Sequence, residues 1–280
     1  MSFFKTVVLA LAATAVAVPA SNPTWTTSWT SSSTGVSRAG TPAPAGSIRP
    51  VIAPAAADQK TLAEKLATKI TAVDQAKELF LVNGKLKTGD DLRGQTVFDF
   101  NTAAPAKNDA GVVIELGGRK AAAAPANFPF LTNKGLSTTV AFLEPCGMNT
   151  PHVHPRGNEW LTVVDGSLEF GMILENGFAG EITGSLDKFQ GTVFPQGAVH
   201  YQFNPSCDPA TFVATLNNGD AGTNSIAQAF FGLNGEVISA TTGFQFPQSG
   251  QNIDAFRGKI PVSLAKGVET CLAKCKIPKL

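Results

Sequence analysis

The sequence predicts an all-β fold, a double-sheet barrel of the jelly-roll kind, with an α-helix on either side. Three observations carry that expectation. Between about 97 and 237, short apolar runs are bounded by Gly, Pro, Asn and Asp, the pattern of many short strands joined by turns. The chain holds 19 Phe and 27 Gly against a single Tyr, a mix that suits packed strands and tight turns. Helical periodicity is confined to one stretch before that region and one after it.

Residues 1–20 read as an export signal. Lys5 supplies the positive start, 7–18 is an apolar run, and Ala17-Val-Pro-Ala20 is a small-residue cleavage context. The run is too short to span a bilayer. Residues 21–57 are rich in Ser, Thr, Pro, Ala and Gly, with Trp25 and Trp29 as interruptions. Such a tract buries too little apolar surface to offset its ordering entropy and reads as a flexible, O-glycosylated stalk or linker. Residues 58–94 form an N-terminal helical extension. Leu62, Leu66, Ile70, Val73 and Phe80 recur at helical spacing, predicting one amphipathic helix over 58–82, with Thr61 and Glu64 as its capping box.

The barrel is expected over 95–245, with strands at 111–116, 137–143, 159–164, 168–174, 191–194, 198–203, 212–216 and 227–231. Residues 246–280 are expected to be loop-rich, with a short helix over 262–272. No internal repeat is visible, and one barrel accounts for the strands. The charges, 22 basic against 21 acidic, balance once Lys5 is removed. No basic block remains, which argues against nucleic acid or an anionic membrane as partner.

Four cysteines, Cys146, Cys207, Cys271 and Cys275, form an even set in a chain read as exported, which favours disulfides. Of the three possible connectivities the preferred one pairs Cys146 with Cys207 and Cys271 with Cys275. A zinc site is the weaker reading, because neither CxxC spacing nor a neighbouring His accompanies them.

The chemistry concentrates on the only three histidines. His152 and His154 stand two apart, so on an extended strand both imidazoles aim at one point. Glu159 follows at the start of the next strand, and His200 lies on another. Three imidazoles and a carboxylate make a mixed nitrogen and oxygen set for a divalent transition ion such as Mn, Fe, Ni or Zn. In a six-coordinate ion two positions stay open for water, dioxygen or substrate. A lone His-x-His is a weak signal, but here every histidine in the chain falls into one pattern.

Two segments carry a family resemblance. Gly147-Met-Asn-Thr-Pro-His152-Val-His154-Pro-Arg-Gly-Asn-Glu159, followed by Gly166, resembles the first motif of germin-type cupins. Phe194-Pro195-Gln-Gly197-Ala-Val-His200-Tyr-Gln-Phe-Asn204 resembles the second. The likeness spans roughly 95–275, and the export signal, stalk and cysteine-bearing tail resemble spherulin-like members more than plant germins. It implies a single double-stranded β-helix (cupin jelly-roll barrel), with His152, His154, Glu159 and His200 on Mn(2+) and a homo-oligomeric assembly. It also implies a small-molecule substrate, oxalate with dioxygen, or superoxide. The chain departs from the motifs at Cys146 and Phe189, where the family often has Gly. Asn149 keeps one of two asparagines that oxalate-oxidising germins place beside the open positions; Thr139 replaces the other. A threonine lacks an amide's donor and acceptor pair, which weighs against efficient oxalate oxidation.

Other residues are read as structural. Arg156 is a surface or subunit-contact residue, though it could attract an anion. Trp160 and Tyr201 each follow a ligand and turn away from it by strand alternation. Gly166 and Gly197 are turn positions, and Asn149 is favoured over Asn204 to orient a ligand. No serine has a spare histidine to activate it. The leading functional reading is therefore a manganese-dependent enzyme acting on oxalate or superoxide. The alternatives are an extracellular or cell-wall structural protein with a metal-stabilised barrel, and a cupin that binds a small molecule or sugar without turnover.

Overall fold

A computed structural model of the chain describes residues 49–104, 116–243, 260–261 and 263–278. The expected signal segment, most of the stalk, most of the strand expected over 111–116 and the greater part of 244–262 lie outside the described residues.

The N-terminal extension contains two helices, α1 (Ala56–Ala67) and α2 (Ala72–Phe80), where the periodicity predicted one. Thr71 is the cause: its backbone is extended, and its Oγ1 accepts a hydrogen bond from Asp74 N at 3.1 Å, capping a new helix. Ile70 is consequently 98% exposed rather than part of a buried stripe. The expected capping box does not form, because α1 starts before it and Thr61 Oγ1 donates instead to the Ala57 carbonyl at 3.0 Å. A small hairpin follows, β1 (Leu81–Val82) and β2 (Lys85–Leu86), turning on Asn83-Gly84, both at positive φ. Next comes α3 (Gly89–Thr96).

Among the described residues nine strands follow in succession: β3 (Gly118–Ala123), β4 (Ser137–Leu143), β5 (Gly147–Val153), β6 (Glu159–Asp165), β7 (Leu168–Ile173), β8 (Ile182–Leu186), β9 (Gly191–Phe194), β10 (Val199–Phe203) and β11 (Ala210–Leu216). They are followed by β12 (Asn224–Ser225), α4 (Ile226–Phe231), α5 (Gly235–Thr242), β13 (Leu264–Lys266) and α6 (Glu269–Lys274). One sheet has the order β3-β4-β11-β6-β9 and the other β12-β5-β10-β7-β8, with β13 also pairing β5. All pairings are antiparallel. Strict alternation along β11, buried at every second residue, turns Phe212, Ala214 and Leu216 inward. Phe212 and Ala214, with Leu161, Val163 and Phe194, fill the space between the sheets.

Two expected elements change type. The run 227–231 is α4 rather than a strand. The exposed side of β5 is already taken, by β12 at His152 and Val153 and by β13 at 147–149, so the segment does not pair there. Of the helix expected over 262–272, the first half is β13 and the second α6, divided at Gly267-Val268.

The disulfides join Cys146 to Cys271 and Cys207 to Cys275, with Cα separations of 5.7 and 5.2 Å. This corrects the preferred pairing. Cys271 and Cys275 are one helical turn apart on α6 and its end, so both face the barrel and each bonds a cysteine there rather than the other. Cys146, Cys271, Phe203 and Leu272 form a second buried cluster beneath the tail. No described cysteine is free for zinc.

Gly166 and Gly197 have φ of +73° and +82°, as turn positions require. Cys146 and Phe189, which stand where the motifs often have glycine, are also left-handed, at +59° and +66°. A side chain in that region costs roughly 1–2 kcal/mol. Phe189 is 76% exposed, so Phe189→Gly is expected to raise unfolding stability by up to about 1 kcal/mol. The double variant Cys146→Ala/Cys271→Ala should lose about 2–5 kcal/mol, because the bridge closes a long loop. Denaturant titration of each against the parent checks both.

Candidate metal centre

The two sheets bring the motif residues to one place. β5 and β10 pair with His152 directly opposite His200, so both imidazoles point to the barrel interior. His154 lies just past the end of β5. Glu159 comes from the facing sheet, as the first residue of β6. All four are buried, His200 to 1% and Glu159 to 3% exposure, and one donor atom from each lies within 4.8 Å of the others. Phe194 stacks flat on the His200 ring at 4.2 Å and 14°.

The hydrogen bonds fix which nitrogen faces the centre. His152 Nδ1 lies 2.8 Å from the Thr150 carbonyl, His154 Nδ1 2.5 Å from the Gly222 carbonyl, and His200 Nδ1 2.9 Å from the Ala198 carbonyl. A carbonyl only accepts, so each Nδ1 carries the proton. In a neutral ring Nε2 then presents a lone pair. His154 Nε2 sits 2.8 Å from Glu159 Oε2, and His200 Nε2 sits 3.5 Å from the same oxygen. Lone pairs at these distances need a cation between them, a proton or a metal ion. His200 Nε2 is buried with no hydrogen-bond partner, and a metal ion would satisfy it.

Burial, reinforced by the neighbouring His200, pushes the His152 imidazole down from 6.5 to about 3. It is therefore neutral at ordinary pH, as a metal ligand must be. Burial alone would raise Glu159, but without a metal ion a proton lying between its carboxylate and the His154 and His200 Nε2 atoms outweighs burial and holds the carboxyl at about 2.

A cavity of about 120 Å3 opens onto His152, His154 and Glu159, lined also by Lys120, Thr139, Asn149, Phe212 and Thr223. Asn149 and Thr139 thus both reach the chamber that the sequence assigned to them. Arg156 does not line it. It is half-exposed and clamps the loop after β11, donating to Asp220 through Nε and Nη2. Trp160 is 55% exposed, and Tyr201 packs against the cysteine cluster, both away from the centre. Asn204 ties its own turn, donating to the Glu144 and Asp208 carbonyls.

The family model described as Cupin matches residues 101–249. The chain belongs to the cupin family. Among curated relatives, spherulin-1A of Physarum polycephalum is 36% identical over 181 residues, 65% of this chain and 70% of that protein. Germin-like protein 12-2 of Oryza sativa subsp. japonica is 42% identical over 111 residues, 38% of this chain and 48% of its own. An oxalate decarboxylase structure overlays with a TM-score of 0.50 at 17% identity, covering 60% of this chain and 41% of that one. At that identity the likeness is one of fold.

Two parts of this cupin's site escaped the sequence reading. Gln202, fully buried two residues beyond His200, accepts a hydrogen bond from Asn149 Nδ2 at 2.8 Å and fixes that amide. Its signal was the inward position it shares with His200. The loop 217–223 carries the Gly222 carbonyl, and it is stitched to the ligand loop: Asn217 Oδ1 accepts from Asn158 N, and Asn218 Nδ2 donates to the Arg156 carbonyl. The Asn-Asn-Gly-Asp run marked a turn but not what it would touch.

The ionisation has a measurable consequence without metal. The unfolded chain takes up a proton at His152 near 6.5 and at Glu159 near 4.5, the folded chain only near 3 and 2. The unfolded state holds more protons in those windows, so stability rises with pH there and is lost as pH falls. Melting of the metal-free protein should drop progressively as pH is lowered from about 6.5 towards 3. His152→Gln should flatten the upper part of that decline.

Proposed function

We propose that this cupin is an exported metalloenzyme. In this reading His152, His154, Glu159 and His200 hold one divalent transition ion, manganese by the germin-like resemblance, and oxalate with dioxygen, or superoxide, reacts beside it. The observation that carries the reading is the convergence of three proton-free Nε2 atoms on one carboxylate, with His200 Nε2 left unpartnered. Three neutral nitrogens and an oxygen suit Mn, Fe, Ni or Zn alike. A bound ion would supply Lewis acidity or a one-electron couple.

The chain's own residues do the rest. Asn149 has one amide hydrogen held by Gln202, which leaves its other hydrogen to donate to an oxygen-rich ligand in the cavity. Phe212, Ala214 and Leu216 form an apolar wall that limits the water beside it. Thr139 offers a hydroxyl where a second amide would grip oxalate more firmly. Export is supported by the order of residues in 1–20 and by two disulfides. Assembly as a homo-oligomer rests on the resemblance.

A second reading, an extracellular structural protein in which the metal serves as a staple, is favoured by the tail. β13 pairs β5, the strand that carries His152, the Cys146–Cys271 disulfide ties the start of that strand to the tail, and Cys207–Cys275 ties the tail to the loop between β10 and β11. Elemental analysis of protein secreted from a eukaryotic host should find about one manganese per chain. His152→Ala should lower that to under about a tenth, since a lost ligand costs more than the 10–100-fold of an outer-shell change. Full occupancy in the variant would refute the ligand set. Metal-loaded protein that turns over neither oxalate nor superoxide would favour the structural reading.

A further inference from the structure

The two disulfides are not independent of one another. Cys146 and Cys271 are buried, at 0% and 5% exposure, in one cluster with Phe203 and Leu272. Cys207 is exposed on the loop between β10 and β11, and Cys275, at the end of α6, is half-buried and packs against that cluster. The Sγ atoms of Cys146, Cys271 and Cys275 all lie within 4.8 Å of one another. The inner bridge therefore has a sulfur of the outer bridge as its neighbour. Cys271 and Cys275 are also four residues apart at one end of a helix, about 6 Å along its axis, inside the Cα range that a disulfide spans. The bridge that the sequence suggested between them is absent from the fold, but exchange can reach it without unfolding the barrel.

Burial sets the order of events. A thiol in solution reaches the exposed Cys207 Sγ and not the inner bridge. Its thiolate attacks Cys207 Sγ, a mixed disulfide forms, the bond to Cys275 breaks, and Cys275 leaves with the electron pair. The Cys275 thiolate now stands beside both inner sulfurs. It moves with α6 and so keeps its distance to Cys271, whereas Cys146 belongs to the barrel. Attack on Cys271 forms a Cys271–Cys275 bond and expels Cys146, which takes a proton from water. A second thiol then resolves the mixed disulfide at Cys207. The sum is one new external disulfide and two protein thiols, at Cys207 and Cys146.

We infer that the Cys207–Cys275 bridge is a thiol-sensitive latch, whose reduction passes inward by disulfide exchange, opens the buried Cys146–Cys271 bridge and frees the tail from the start of β5. The tail's hold on that strand leads to the centre. Thr150 donates to the Ser263 carbonyl through both its amide and its Oγ1, at 2.8 and 2.9 Å. The Thr150 carbonyl in turn takes the His152 Nδ1 proton. β13 pairs the same strand at 147–149. Both contacts lie on the tail segment that the two disulfides anchor, so opening the latch loosens the peptide that orients His152.

The test treats the full-length secreted protein with limiting reduced glutathione, quenches with acid, unfolds, alkylates and maps the cysteines by mass spectrometry. Alkylated Cys207 and Cys146 with Cys271 linked to Cys275 are expected, together with faster amide exchange at 147–150. In Cys207→Ser/Cys275→Ser, which keeps only the inner bridge, reduction of that bridge should be slower by about tenfold or more, because the internal thiol that acts at high effective concentration is gone. Cys207→Ser alone should isomerise without any reductant and carry its thiol on Cys146; where this variant does not fold, the wild-type map decides. Thiols that stay on Cys207 and Cys275 with the inner bridge intact overturn the latch. So does a thiol on Cys271, which would leave the tail bonded to Cys146, and so does inner-bridge reduction at an equal rate in wild type and the double variant.

Discussion

Everything at the centre depends on three hydrogen bonds that point away from it. The carbonyls of Thr150, Ala198 and Gly222 each take the Nδ1 proton of one histidine, and this decides that Nε2 faces inward without a proton. With other tautomers the same side chains would form an ordinary buried polar cluster, donors meeting acceptors. Fixed as they are, three lone pairs and a carboxylate converge in a space of low dielectric. That arrangement is unfavourable without a cation and favourable with one. Two of the carbonyls lie two residues before their histidines, so strand geometry supplies them locally. The third comes from a loop 68 residues away.

That distant carbonyl explains the bracing around the site. Arg156 and Asp220, Asn158 and Asn217, and Arg156 and Asn218 tie the loop after β11 to the segment between His154 and Glu159. Gln196 N also donates to Asn158 Oδ1, joining the turn before β10. Ligands on β5, β6 and β10 thereby share one framework of surface polar contacts, each modest in energy, whose common effect is positional. On the other side, β13 pairs β5 at Asn149, and the Thr150 amide donates to the Ser263 carbonyl at 2.8 Å. The disulfides hold this tail in place, so their main contribution beyond stability is the alignment of the ligand strand.

The barrel and the meeting of three histidines with Glu159 were legible because they are written in short-range patterns. Alternation in 137–143 and 159–164, with Gly166 at a turn, fixes strands and faces over a few residues. His-x-His on a strand needs no more than a two-residue period. What was not legible depends on competition between distant segments. The run 227–231 has strand composition, yet both lengths of the β5 edge are occupied by β12 and β13, and the segment folds as α4 instead. The helix over 58–82 breaks because one threonine satisfies the Asp74 amide better as a cap than inside a continuous helix. The cysteine pairing turned on where α6 docks, which no local pattern records.

The two motif departures show how a backbone constraint can outlast the residue that suits it. Cys146 and Phe189, which stand where the resemblance leads one to expect glycine, are both left-handed, so the turns before β5 and before β9 each carry a side chain in a disfavoured region. The two substitutions differ in what they return. At Phe189 the ring is mostly exposed, with Lys188 Nζ 5.4 Å above it, a contact worth at most about 1 kcal/mol at an exposed site. At Cys146 the side chain is fully buried and bonded to the tail. A glycine there would relax the turn but release α6, and with it one anchor of β13 on the strand that carries His152. Strain at this position is therefore coupled to the site: the turn tolerates an unfavourable φ because the bond it makes possible holds the ligand strand's edge.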